Sequence, residues 1–186
     1  MRKIIGGMFV SRDDVIQAPG GPTEDPTGAF AHGGWMFPVA DDQVGAPMGD
    51  AFTAVNKYVL TRGPQPLPWT NSHRVRTVDD VAALKRDGGP DLLIQGSSMI
   101  YPALLAAGLL DRLVLYTFLI LLGSGKRLFG EGTPPGTLKL VDQQISSGGT
   151  VIATYEPAGS VETGSFGQIG SAREDKRQAK MKDGTW

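Results

Sequence analysis

Two glycine-containing stretches, 95–99 and 122–127, have residue types that could contact a ligand. In the first, Gly96-Ser97-Ser98 separates a short apolar run from a segment with helical apolar spacing. A glycine turn from a strand into a helix leaves backbone N–H groups free, and together with the helix dipole these can bind a phosphate. The alternative is a tight connection whose small residues serve packing. This stretch alone leaves both interpretations open.

The second glycine stretch, Gly123-Ser124-Gly125-Lys126, resembles a nucleotide-binding P-loop but does not fit that motif. The motif would place Ile120 where its first glycine belongs, and Arg127 follows the lysine instead of Ser or Thr. The interpretation that stays open is a glycine loop that follows a strand and lines a ligand site.

Other side chains with chemical potential lie at the ends of predicted strands. Asp13-Asp14 follows the first strand, where α/β proteins place ligand contacts, although a solvated loop pair is equally open. Thr61-Arg62 ends another strand and can bind a phosphate through hydroxyl and guanidinium groups. His32 and His73 lack the spacing of metal ligands, so we predict no metal site. Nothing in the order of Ser, His and Asp suggests a catalytic triad.

The elements that must position these residues alternate between strand and helix. Strands are predicted at 3–10, 56–61, 91–95 and 112–122, helices at 77–85 and 99–109 with a poor helix at 41–54, and an antiparallel pair at 137–146 and 151–156. This order predicts an α/β fold with a mixed, mostly parallel sheet flanked by helices and an antiparallel C-terminal hairpin.

Two long segments have no regular pattern. Residues 11–38 are rich in glycine and proline, and we predict a loop folded over a pocket, with His32, Trp35 and Phe37 in it. Residues 157–186 have few apolar side chains and mixed charge, which predicts a flexible tail, with a docked terminal segment as the alternative.

The bulk composition limits the class of protein. A chain of 186 residues suits one domain with a hydrophobic core, and a net charge of −1 gives no basic field for nucleic acid or an anionic membrane. The chain has no cysteine, which removes disulfides and thiolate chemistry. No stretch reaches the roughly 18 apolar residues of a membrane span. We expect a soluble, cytoplasmic protein.

Three stretches resemble the dihydrofolate-reductase-like family of the RibD C-terminal type. Residues 2–38 resemble the family's first strand and its glycine-proline loop over the substrate pocket. Residues 56–62 resemble the strand whose end approaches the 2′-phosphate of NADPH. Residues 91–129 resemble the pyrophosphate-binding strand, turn and helix and the strand after them. The resemblance covers residues 1–156 and implies a dihydrofolate-reductase-like fold.

The resemblance also implies an activity and a set of site residues. The implied activity is NADPH-dependent reduction of a small heterocyclic or ribosyl substrate, as in the 5-amino-6-(5-phosphoribosylamino)uracil reductase of riboflavin biosynthesis. Asp13 would be the catalytic residue of the pocket. The implied cofactor-binding residues are Thr61, Arg62, Gly96, Ser97, Ser98 and Gly123, and the implied substrate-binding residues are His32, Trp35 and Phe37.

The sequence departs from the family pattern at two places. The family's SLDG motif is Ser-Arg-Asp-Asp at residues 11–14, so its glycine is lost. Relatives also have a strand ending in Gly-Arg-x-Thr, and this chain lacks that segment before residue 51. One alternative is therefore a non-catalytic relative that serves as a ligand-binding or dimerisation module, and another is a chain that needs a partner to complete its sheet. A homodimer through the apolar 113–122 strand also stays open.

Overall fold

The computed structural model describes residues 1–42, 44, 49–164 and 171–185. The strands are β1 (Ile4–Ser11), β2 (Lys57–Leu60), β3 (Ser72–Val75), β4 (Leu92–Gln95), β5 (Arg112–Phe118), β6 (Leu138–Ile145) and β7 (Val151–Pro157). The helices are α1 (Gly49–Ala54), α2 (Val78–Arg86), α3 (Tyr101–Ala106) and α4 (Ala172–Lys182), with short 3₁₀ turns at Thr27–Ala29, Phe37–Val39 and Ser98–Ile100.

Five strands form the main sheet in the order β4-β1-β5-β7-β6. Strands β4, β1 and β5 are parallel, whereas β7 and β6 add an antiparallel edge. The carboxyl ends of β4, β1 and β5 therefore meet at one edge of the sheet. This mostly parallel architecture with a C-terminal hairpin confirms the fold class that the sequence predicts.

The remaining strands, β2 and β3, form a separate parallel pair. Among the described residues, no hydrogen bond joins this pair to the five-stranded sheet. Strand β3 was not predicted, because Ser72, His73 and Arg74 give its four residues no apolar alternation.

Apolar side chains cover both faces of the five-stranded sheet. On one face, Ile4, Tyr101, Leu104 and Leu113 form a cluster in which each is at most 1% exposed. On the other face, a second cluster includes Val15, Trp35 and Phe118.

Strand β5 contributes to both clusters, because Leu113 belongs to the first and Phe118 to the second. These two side chains are 1% and 0% exposed, so β5 is a core strand. The strand ends at Phe118, and Leu119 and Leu121 beyond it are exposed. A homodimer through residues 113–122 stays a prediction.

Helix α2 begins at the capping box that the sequence predicts. The Thr77 hydroxyl accepts a hydrogen bond from the Asp80 N–H at 3.2 Å, and the Asp80 carboxylate accepts one from the Thr77 N–H at 3.0 Å. Near the other end of the helix, the buried Lys85 Nζ donates to Asp111 at 2.5 Å and to the Leu109 carbonyl at 2.7 Å. These bonds fix α2 to the turn that enters β5.

The C-terminal segment contains a helix that the sequence did not predict. Helix α4 begins after Ser171, whose hydroxyl accepts a hydrogen bond from the Glu174 N–H at 3.2 Å. No side chain of α4 is buried. Of the poor helix predicted at 41–54, the structure has Gly49–Ala54, and residues 43 and 45–48 lie outside the described part.

Candidate functional site

A cavity of about 490 Å³ lies at the carboxyl ends of β1 and β4. This is the position at which open α/β sheets bind ligands. Its walls are the ends of the two strands, the turn after β4 and the loop after β1. The lining residues are Gly7, Met8, Phe9, Ile16, Gln17, Ala18, Pro19, Gly20, Glu24, Asp25, Gln95, Gly96, Ser97, Ser98, Met99 and Lys126.

The turn after β4 brings three of the predicted cofactor-binding residues to the cavity. Gly96 and Ser97 have positive φ angles of 71° and 58°, which fold the chain sharply into the 3₁₀ turn that begins at Ser98. A side chain at Gly96 would meet no atom within 4 Å, so the cavity is open beside it. Within the described part of the chain, neither serine hydroxyl has a hydrogen-bond partner. The turn can therefore offer both hydroxyls to a ligand.

Gln17 joins the loop after β1 to the loop after β5 at one wall of the cavity. Its Nε2 donates to the carbonyls of Asp25 and Thr27 at 3.0 and 2.8 Å, and its Oε1 accepts from the Lys126 N–H at 3.0 Å. The Trp35 Nε1–H donates to the Gln17 carbonyl at 2.9 Å. Gln17 is only 4% exposed, so these bonds satisfy a buried amide and join two distant loops. No motif or spacing in the sequence indicates this role.

An ion pair joins Asp25 to Lys126, with 2.6 Å between the Asp25 Oδ2 and the Lys126 Nζ. Both residues line the cavity. The hydrogen bond from Lys126, followed by that from the Thr27 hydroxyl, lowers the pKa of Asp25 to about 2. The carboxylate is therefore ionised throughout the neutral range and keeps Lys126 at the cavity. Lys126 is the single cationic side chain among the residues that line the described cavity.

Asp13 does not line the cavity. Its carboxylate accepts hydrogen bonds from the Ser11 hydroxyl at 2.7 Å and from the N–H groups of Leu122 and Gly123 at 3.1 and 2.8 Å. The Ser11 bond, then the Leu122 bond, lowers the pKa of Asp13 to about 2. The Leu122 and Gly123 bonds hold the loop after β5 against the end of β1, and the catalytic role expected for Asp13 stays a prediction.

Asp14 stands at the position where the SLDG motif of the family has glycine. Asp14 has a φ of 67°, in the left-handed region that glycine adopts most easily. Its N–H donates to the Ser11 carbonyl at 3.0 Å, and its carbonyl accepts from the Leu128 N–H at 3.2 Å. The turn therefore keeps the conformation that the family's glycine would favour, although an aspartate forms it.

The structure does not bring the three predicted substrate-binding residues to the cavity. Trp35 is buried and packs edge-on against Phe118 with ring centroids 5.6 Å apart, so it belongs to the core. His32 is exposed and contacts Phe30, while Phe37 is 64% exposed. None of the three lines the cavity. The loop does cover the pocket, but through its earlier residues, 16–20 and 24–25.

Two further predicted cofactor residues, Thr61 and Arg62, follow β2 in the separate sheet. The Thr61 N–H donates to the Val75 carbonyl at 3.0 Å, and Arg62 is exposed. Neither residue lines the cavity. Gly123, the last of the predicted set, donates its N–H to Asp13 and is likewise absent from the lining.

Two negative findings apply to the described residues. No group of three or more His, Asp or Glu side chains in this part of the chain could hold a metal ion. No helix in the same part is long and apolar enough to cross a membrane.

Comparison with known proteins identifies the family. The model of the RibD C-terminal domain matches residues 49–154, which is more than half of the chain. The chain belongs to the RibD C-terminal domain family. The match begins at α1 and ends in β7, so it includes β2 to β6 and the turn at Gly96, whereas β1 lies before it.

Solved structures show the same fold. A protein provisionally assigned to riboflavin biosynthesis from Shewanella sp. PV-4 has a TM-score of 0.63 at 19% identity, over 84% of this chain and 99% of the other. A pyrimidine reductase-like protein from Corynebacterium diphtheriae has a TM-score of 0.54 at 12% identity, over 84% and 92%. The dihydrofolate reductase of Enterococcus faecalis, complexed with NADP(H), has a TM-score of 0.50 at 15% identity, over 83% and 96%. No curated protein matches the chain.

Proposed function

We propose that this RibD C-terminal domain protein is an NADPH-dependent reductase that transfers a hydride to a small heterocyclic or ribosyl substrate. The observation that carries the proposal is the cavity of about 490 Å³ at the carboxyl ends of β1 and β4, with the Gly96-Ser97-Ser98 turn in its wall. Family membership supports the proposal, as does the likeness in fold to a dihydrofolate reductase complexed with NADP(H).

The residues of the cavity suit a phosphate-bearing cofactor. The backbone at Gly96 and the hydroxyls of Ser97 and Ser98 offer hydrogen bonds, and Lys126 offers a positive charge. Met99 lines the cavity with 86% of its surface exposed, and a flexible thioether can pack on a flat ring. NADPH would supply the hydride, and the protein would supply binding and orientation.

The loop after β1 would form the substrate side of the site. The Glu24 carboxylate accepts a hydrogen bond from the Gly20 N–H at 2.7 Å, which fixes the part of the loop that lines the cavity. Phe9 and Ile16 add apolar surface on this side. A loop that covered the bound ring would exclude water and so would favour hydride transfer over competing reactions.

The experiment is a fluorescence titration of the purified protein with NADPH and with NADH. We expect binding with a preference for NADPH. Ser98→Glu places a negative charge at the turn and should abolish that binding, whereas Ser160→Glu makes the same change at an exposed position far along the chain and should not. Equal affinities of wild type and Ser98→Glu would refute the assignment of the turn.

A second candidate function is a non-catalytic ligand-binding or dimerisation module on the same scaffold. The observation that favours it is the separation of β2 and β3 from the main sheet, which leaves Thr61 and Arg62 outside the cavity lining. This candidate predicts no NADPH binding by the wild-type protein even at millimolar cofactor. The cytoplasmic location and a homodimer stay predictions, and sedimentation over a range of concentrations tests the latter.

A further inference from the structure

Helix α4 (Ala172–Lys182) buries no side chain. Within residues 171–185, every hydrogen bond and ion pair that the structure describes joins two residues of that same segment. Most helices in proteins owe their stability to tertiary packing, and an isolated helix of fewer than about 12 residues is marginal in water. The 11 residues of α4 therefore lack the usual source of helix stability, which a bound partner would supply.

The charge of α4 differs from that of the chain as a whole and is concentrated on one face. Five of its 11 residues are Arg or Lys and two are acidic, so the helix has a net charge of +3, against −1 for the whole chain. Four exposed cations at helical spacing form the basic stripe of α4: Arg173, Lys176, Arg177 and Lys180. By helix geometry this stripe is about 100° wide and about 10 Å long. Glu174 and Asp175 lie outside it.

The basic stripe destabilises the free helix. Each of its four cations has two others three or four residues away, and like charges at these spacings are neighbours that repel. Within the described helix the opposing ion pair is that of Glu174 and Arg177, with 3.1 Å between the Glu174 Oε1 and the Arg177 Nη1. Both side chains are exposed, and an exposed pair contributes little. An anionic partner along the stripe would remove the repulsion and so would stabilise α4.

The composition of α4 distinguishes between classes of anionic partner. A helix that lies in a membrane surface has a face of large apolar side chains, and a helix that docks in a protein groove has apolar anchors at helical spacing. Apart from two alanines, Met181 is the only apolar residue of Ala172–Lys182. A nucleic acid needs no apolar face, because its phosphate charges supply the affinity. Basic segments that are not stably folded also become ordered when they bind RNA.

We propose that α4 binds the phosphate backbone of a nucleic acid through its basic stripe, without preference for base sequence. The inference is independent of the reductase function, because α4 lies outside the matched family domain and contributes no residue to the described cavity. The net charge of the chain gives no sign of this partner, because it averages the +3 of α4 with a remainder of −4.

The test is fluorescence anisotropy of a short labelled DNA duplex titrated with the full-length protein between about 50 and 200 mM salt. We expect weak, saturable binding, with the logarithm of the association constant falling against the logarithm of salt with a slope of about −3.6, since each of four neutralised phosphates contributes about −0.9. A duplex of different sequence should bind equally. The stripe variant has glutamine in place of Arg173, Lys176, Arg177 and Lys180. It should bind at least about tenfold more weakly, with a slope close to zero.

Two matched variants separate the basic stripe from the net charge. The first replaces four exposed cations outside α4 with glutamine, at Lys3, Arg76, Arg86 and Lys139. It changes the net charge as much as the stripe variant does, but it should keep the wild-type salt slope. The second combines Lys176→Gln with Gln178→Lys, which preserves the net charge and moves one cation off the stripe. Its slope should be smaller in magnitude by about 0.9.

Three outcomes would overturn the proposal. The first is the absence of duplex binding at the lowest salt. The second is an equal loss of affinity in the stripe variant and in the variant outside α4, because net charge alone would then explain the binding. The third is equally tight binding of wild type to phosphatidylserine vesicles, because the partner would then be any anionic surface. Helical carbon chemical shifts of residues 172–182 should increase as duplex is added, and unchanged shifts would contradict the ordering of α4 by its partner.

Discussion

Replacing Asp13 should destabilise the protein through the loop after β5. The carboxylate accepts three hydrogen bonds, of 2.7, 2.8 and 3.1 Å, from Ser11, Gly123 and Leu122. A buried hydrogen bond to a charged acceptor contributes roughly 1.5–3 kcal/mol to the free energy of unfolding. Because the Asp13 carboxylate is partly exposed, solvent screening reduces the total contribution of its three bonds. We therefore expect Asp13→Ala to lower the free energy of unfolding by about 2 kcal/mol. Asp13→Asn puts an amide nitrogen where an oxygen accepts from Gly123, and should cost about 1 kcal/mol.

The stability lost when Asp13 is replaced should be smaller in acid than at neutral pH. The folded-state pKa of Asp13, about 2, lies below its ordinary value of 3.8. The stabilisation by the carboxylate is therefore complete above the ordinary pKa and is lost as the pH falls through the folded-state value. The difference between wild type and Asp13→Asn should be full at neutral pH and should shrink between about pH 4 and pH 2.

Urea unfolding followed by tryptophan fluorescence measures this difference, since Trp35 is buried in the core. Asp14→Asn is the matched control, because asparagine tolerates a positive φ and the Asp14 carboxylate makes no hydrogen bond among the described residues. Equal stability of wild type and Asp13→Asn at neutral pH would refute the reasoning. A difference that persists unchanged at pH 2 would show that the charge is not its cause.

Two further substitutions test other local features. Tyr101→Phe should raise the free energy of unfolding by about 1 kcal/mol, because the Tyr101 hydroxyl is buried without a hydrogen-bond partner among the described residues. A urea midpoint that is unchanged or lower in Tyr101→Phe would contradict this prediction. Asp14→Val should lower the melting temperature, because a β-branched residue at a φ of 67° costs about 1–3 kcal/mol. Asp14→Gly should not lower it, because glycine adopts this φ easily. Equal melting temperatures for the two variants would show that the turn is unstrained.

Local sequence patterns predicted most of the architecture. The capping box at Thr77, the alternation of strands and helices and the C-terminal hairpin are each determined by neighbouring residues, and each was confirmed. Strand β3 was missed, because its polar residues are held by pairing with β2 and by burial of Val75, which are properties of the tertiary structure. Helix α4 was missed because an exposed helix has no apolar stripe to reveal it.

The candidate site was predictable only where it depends on adjacent residues. The Gly96-Ser97-Ser98 turn is such a case, because a glycine between a strand and a helix is a local signal. The pair of Asp25 and Lys126 joins residues 101 positions apart, and no spacing in the sequence indicates it. The position of Asp13 after β1 was predicted, but its role depends on Leu122 and Gly123, which lie 109 and 110 residues further on.

The division into two sheets has a consequence for how the molecule opens. Strands β2 and β3 share a hydrophobic core with the main sheet through Tyr58, Leu60 and Val75, but no backbone hydrogen bond among the described residues joins the two sheets. Within the described residues, side-chain packing couples the two sheets, and we expect the β2–β3 pair to open locally while the ladder of β4, β1 and β5 stays intact. The walls of the candidate site belong to the main sheet and its loops, so they would keep their geometry in that opened state.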